Sequence, residues 1–112
     1  MKKVKFKEGY IYIISNPNFS NYYKLGITDN IKSRLQTYQT SCPSRNYKIE
    51  HYIFHSDCCR AEKQIHQKLK YFATERKNEW FRCDLSILKN IIDEFLDPLE
   101  GIIVPYNLKV DI

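Results

Sequence analysis

No part of this 112-residue chain is apolar for long enough to cross a bilayer, and none of it repeats, thins into a low-complexity tract or opens into a flexible linker. A membrane partner is not expected. The opening MKKVKFKEGYIYII is basic but has neither an adequate apolar run nor a small-residue cleavage site, so it does not read as a secretory signal. The cysteines, Cys42, Cys58, Cys59 and Cys83, include no C-x-x-C pair, and two adjacent thiols make a poor tetrahedral clamp even if His51 or His55 were recruited. Structural zinc is therefore not expected. Free thiols in a reducing, intracellular setting, cytoplasm or nucleus, are the better reading.

Acid is scarce over most of the chain. Residues 1–82 carry 16 Lys/Arg against 7 Asp/Glu, whereas residues 83–112 carry 2 against 6. The net +5 thus conceals a basic body and an acidic end. A basic surface mixed with aromatics suits a polyanionic partner, most commonly nucleic acid, although charge of this size also serves solubility alone.

The length fits one domain. Tyr10 and Tyr12 alternate with Ile11 and Ile13, the period of a strand; SNPNFSN is a run of turn formers; YYKLGIT then resumes as a second strand, completing an antiparallel hairpin. The segment TDNIKSRLQTYQT places Ile31, Leu35 and Tyr38 on one helical face behind a cap at Thr28 or Asp29. YKIEHYIFHS reads as a third strand. In DCCRAEKQIHQKLKYF, Asp57 caps a helix whose apolar face is Cys58, Ala61, Ile65, Leu69 and Phe72, opposite Arg60, Lys63, Gln67 and Lys70. After a charged loop, NEWFRC is a short buried turn or strand, and Asp84 caps a last helix stopped at Asp97-Pro98. The expectation is an α+β domain over residues 1–97: a small three-stranded antiparallel sheet flanked by helices in the order β-β-α-β-α-α. Residues 98–112 would be an extension, an edge strand or an arm through which copies of the chain associate.

Two charges break the amphipathic pattern. Arg34 lies three residues after Ile31 and four before Tyr38, and Glu62 three before Ile65, so both border buried faces. A half-buried charge is costly unless paired or bound, so Arg34 and Glu62 either bridge each other, snorkel, or share a pocket. His66, one turn after Glu62, could join it as metal ligand, acid-base partner or simple polar contact. Gly26, alone among the glycines in sitting inside a strand, signals a bulge or a close backbone approach.

Taken together, IY at 11–12, KLG at 24–26, an arginine in the following helix, AEKQIH and the closing EWF resemble the GIY-YIG endonuclease superfamily, in the branch found in phages and large DNA viruses. The likeness covers residues 9 to about 82. It implies a DNA-cutting viral-type hydrolase in which Tyr12 helps to activate water, Arg34 contacts the scissile phosphate, Glu62 holds one Mg²⁺ or Mn²⁺, and His66 is the branch's histidine. No small-molecule cofactor is implied. The pattern departs in two places: Lys24 stands where the second half-motif has its tyrosine, with Tyr23 one residue off on the opposite strand face, and Gly9 is displaced by one.

Those roles are chemically coherent. Phosphodiester hydrolysis needs an in-line nucleophile, a cation for the developing charge and a stabilised leaving oxygen. A free phenol with a pKa of about 10 is ionised in only about one part in a thousand at pH 7, and Lys24 nearby would favour the phenolate. Lys32, Arg45 and Lys63 are candidate DNA contacts. Two further readings stay open: a nucleic-acid-binding module of the same fold with little or no catalysis, and an interaction domain that works through its C-terminal strand.

Overall fold

The structure is a computed structural model, and it describes residues 6–77 and 79–96. Its elements run β1 (Gly9–Ser15), a single 3-10 turn (Pro17–Phe19), β2 (Tyr22–Thr28), α1 (Ile31–Thr40), β3 (Lys48–His55), α2 (Cys58–Phe72), β4 (Glu75–Lys77), β5 (Trp80–Arg82) and α3 (Leu85–Asp93). The α+β class and the β1–β2 hairpin agree with the sequence. The sheet, however, has five antiparallel strands in the order β3-β1-β2-β5-β4, not three.

The additional strands come from the stretch read as a charged loop and a short turn. Glu75-Arg76-Lys77 has no apolar alternation of its own; it is drawn into the sheet by pairing with β5, whose Phe81 is buried. Local pattern therefore could not reveal β4.

Alternation in β1 divides the sheet into two faces. Ile11 and Ile13, with Leu25, Ile53 and Phe81, meet Ala61, Ile65 and Leu69 of α2 and Leu88, Ile91 and Ile92 of α3. Fully buried aliphatic side chains contribute roughly 1.5–3 kcal/mol each, so this face supplies most of the apolar stabilisation. The opposite face is thinner and aromatic: Tyr12, Ile14 and Ile31 form its buried centre, ringed by Leu35, Tyr38, Tyr47, Tyr52 and Trp80. Helix α1 buries only Ile31. It rests on rings, and polar groups stand among them.

Helix starts follow side-chain capping. Asp57 and Asp84 cap α2 and α3 as expected. For α1 the cap is Asn30, whose Oδ1 accepts from Ser33 N at 2.9 Å, rather than Thr28 or Asp29. The Thr28 hydroxyl is engaged in a local turn with the Asn30 backbone. Phe72 is 51% exposed in the last turn of α2, contrary to its place on the apolar face. Helix α3 ends at Asp93, before the Asp97-Pro98 stop, which lies with the proposed C-terminal arm at 98–112 outside the described residues.

Candidate active site

The floor of the site is set by one cross-strand pair. Tyr12 of β1 stands opposite Gly26 of β2, and its ring crosses the Gly26 backbone so closely that a Cβ there would sit 2.5 Å from the Tyr12 Oη and 2.6 Å from its Cζ. Gly26 has no positive φ. It is glycine because the ring occupies the space a side chain would need, the close approach that its place inside a strand suggested.

Tyr12 is only 3% exposed, and its hydroxyl lies 3.3 Å from that of Tyr38 on α1. Burial raises the Tyr12 pKa well above the ordinary phenol value, and the hydrogen bond and charge of Tyr38 raise it further; Arg34 opposes this and Glu62 adds to it. The structure thus brings Arg34 of α1 and Glu62 of α2 each within electrostatic reach of Tyr12 on β1. Of the alternatives for Arg34 and Glu62, a mutual ion pair is not found among the described residues; both are half-buried around Tyr12.

Glu62 and His66 face each other at 3.8 Å, too long for a hydrogen bond, and the His66 ring packs on Phe81 at 5.4 Å. The Glu62 side chain is 20% exposed. Among the described residues, no cluster of three or more His, Cys, Asp or Glu could cage a metal. A lone accessible carboxylate is nevertheless compatible with Mg²⁺ or Mn²⁺, which can take one protein oxygen and fill the rest of the shell with water and phosphate.

Lys24 does something other than expected. Its Nζ makes a 2.7 Å ion pair with Glu79 and stands 5.4 Å from the centre of the Tyr38 ring. Burial acts to lower its pKa, but hydrogen bonds to Glu79 and Tyr38 outweigh this and leave it raised. The cation that favours Tyr12 ionisation is Arg34, not Lys24. Tyr23 belongs to the apolar face, as the strand period required.

Tyr38 escaped the sequence reading as anything but an apolar position. The signal was its place four residues after Arg34, on the same face of α1. Glu79, the acid of EWF, carried no local sign that it would hold Lys24. Lys32, Arg45 and Lys63 are exposed on α1, on the loop after it and on α2. No contact joins them among the described residues; Arg45 takes a left-handed backbone (φ 50°).

The cysteines are all free thiols, without a disulfide. Hydrogen bonds from the backbone of Asn46, and then of Ser44 and Arg45, lower the Cys42 pKa, whereas burial pushes the Cys58 thiol up to about 11. No helix of the described residues is long and apolar enough to cross a membrane.

The family model for the T5orf172 domain matches residues 9–96. The chain belongs to the T5orf172 domain family. This domain occurs in phage and nuclease-like proteins, which gives the chain a nuclease-related or DNA-binding association without specifying a reaction. Comparisons with curated proteins and with solved structures gave no match.

Proposed function

We propose that this T5orf172 domain is a GIY-YIG-type, metal-dependent endonuclease that hydrolyses DNA phosphodiester bonds at the Tyr12, Arg34 and Glu62 site. What supports this reading is that a half-buried cation on α1 and a half-buried carboxylate on α2 both lie close enough to one buried tyrosine to act on its ionisation in opposite senses. Neither charge repays its partial burial through a mutual ion pair, so a ligand that engages both is the economical explanation.

In this reading the Arg34 guanidinium presents its fork to the scissile phosphate. Glu62 is the residue that would hold Mg²⁺ or Mn²⁺, and His66 stands one turn away on the same helix. A divalent ion there supplies Lewis-acid stabilisation of the charge that develops on the phosphate. Tyr12 acts from its neutral form: with a raised pKa it is a phenol at physiological pH, able to accept from the attacking water and to donate to Tyr38. Lys24 keeps Glu79 and Tyr38 in place beside it.

One observation favours the second reading, a nucleic-acid-binding module with weak or no catalysis. Tyr12 is almost wholly covered and its ionisation is disfavoured, an unpromising state for a residue that must meet water and phosphate. The two readings separate on a panel of labelled duplex, flap and single-stranded DNAs incubated with Mg²⁺, Mn²⁺ or EDTA. The nuclease reading expects metal-dependent cutting that Tyr12→Phe slows by about 10²-fold or more, on the scale of losing a general acid-base group. Salt-sensitive binding with no cutting under any condition would leave the binding module standing instead.

A further inference from the structure

The rings on the α1 side of the sheet form a continuous path that starts at Tyr12 and ends at the surface. Tyr12 meets Tyr38 with centroids 6.5 Å apart, Tyr38 meets Tyr47 at 5.0 Å, Tyr47 lies within 28° of parallel to Trp80 at 6.5 Å, and Trp80 meets Phe19 at 5.2 Å. The last ring, on the 3-10 turn after β1, is 47% exposed.

Beside Phe19 lies an open cleft of about 440 Å³, within the size range of small-ligand sites. Asn21, Asn46 and Lys48 line it with the hydrogen-bonding groups that base edges and phosphates use. The Asn46 Oδ1 accepts from Asn16 Nδ2 at 3.1 Å, while its amide NH₂ has no partner among the described residues. The carboxylate in this cleft, Glu50, accepts from Ser15 Oγ at 2.6 Å and lies 3.9 Å from Lys48, so its charge is already engaged. Ser15 also lines the cleft, three residues along β1 from Tyr12 and turned by the strand period to the other face of the sheet, so the cleft sits at the sheet's end and meets the Tyr12 side through the rings.

We propose that this cleft holds an unpaired base of DNA, stacked on Phe19, so that the preferred DNA is one that carries a single-stranded segment. A fully paired duplex keeps its bases stacked on each other and offers no face to Phe19. Single-stranded DNA offers one at every position, together with the phosphate charge that the basic body of the chain complements. The proposal rests on the nucleic-acid reading above, but not on catalysis.

The test is binding in EDTA, so that cutting cannot intervene, using single-stranded oligonucleotides with a 2-aminopurine reporter and the matched duplex. Stacking on one aromatic side chain is worth 1–3 kcal/mol per base, about 5- to 150-fold in affinity. Wild type should prefer the single strand by about tenfold or more and change the reporter's fluorescence on binding. Phe19→Ala should bring that preference to near unity, whereas Tyr71→Ala, which removes an 87% exposed ring on α2, should leave it intact. Equal affinity of wild type for both DNAs, or a preference that survives Phe19→Ala, would overturn the proposal even if the protein proves to be a nuclease. A single-strand preference lost in Phe19→Ala, in a protein that cuts nothing, would support it and remove only the catalytic reading.

Discussion

Adding one methyl group at Gly26 tests whether Tyr12 is held where the site needs it. The new Cβ would lie 2.5 Å from the Tyr12 Oη, 2.6 Å from Cζ and 3.0 Å from Cε2, where contacts of 3.4–4 Å are ordinary. The ring must retreat by about 1 Å, but Tyr12 is 3% exposed and bonded to Tyr38, so little space is free to receive it. Overpacking of this kind costs about 1–3 kcal/mol. For a domain of this size that is a fall of about 4–8 °C in Tm per kcal/mol. A displacement of about 1 Å at a reacting centre can also lower turnover by about 10²-fold. The assay is a double-mutant cycle, in which Gly26→Ala is made in wild type and in Tyr12→Ala, with stability measured by chemical denaturation and cleavage of labelled DNA followed alongside. In Tyr12→Ala the methyl group meets no ring, so the cost of Gly26→Ala should largely disappear. Equal costs in the two backgrounds would show that Tyr12 and Gly26 are not in steric contact and would refute the geometry of the floor.

Other outcomes follow from the same geometry. The Tyr12 pKa is raised in the folded state, so its contribution to stability is complete below the unfolded value of 10.0 and is lost as pH rises past it. Denaturation curves between pH 8 and 12 should therefore show a smaller alkaline loss for Tyr12→Phe than for wild type, and identical slopes would contradict the buried phenol. Cys42 should be the first thiol alkylated by iodoacetamide at pH 8, with Cys58 protected by burial and a pKa of about 11; modification of Cys58 first, read by peptide mass mapping, would count against the structure. Arg34→Ala should slow cleavage by about 10²- to 10³-fold with little change in Tm, as expected for loss of one preorganised donor to the phosphate. Unchanged kinetics would place the phosphate elsewhere.

Much of this arrangement can be read from short-range pattern. Alternation in GYIYIIS and YYKLGIT specifies the hairpin, and spacing on the two helices marks Arg34 and Glu62 as charges beside apolar faces. Both lie near Tyr12, which a wheel projection cannot show. What escaped the sequence depends on long-range pairing. Strand β4 exists because β5 offers it an edge, and Lys24 turns to Glu79 because β2 and β5 are neighbours. The same pairing explains why Lys24 does not serve Tyr12: a carboxylate at 2.7 Å holds its ammonium group. Tyr38 is the opposite case, a residue whose spacing was visible but whose hydroxyl was not considered, because an aromatic on an amphipathic face is usually core.

Under the proposed nuclease reading, Glu62 serves the chemistry rather than the fold. Its side chain is partly exposed and lies 3.8 Å from His66, beyond hydrogen-bonding range, so Glu62→Ala should fold normally by circular dichroism and melt within a few degrees of wild type. Single-turnover cleavage of a labelled flap DNA in Mg²⁺ or Mn²⁺ is the measurement. Wild type should cut this DNA in a manner that EDTA abolishes, and the rate should fall by about 10³-fold or more in the folded Glu62→Ala protein. Cutting by that variant at the wild-type rate would contradict that reading.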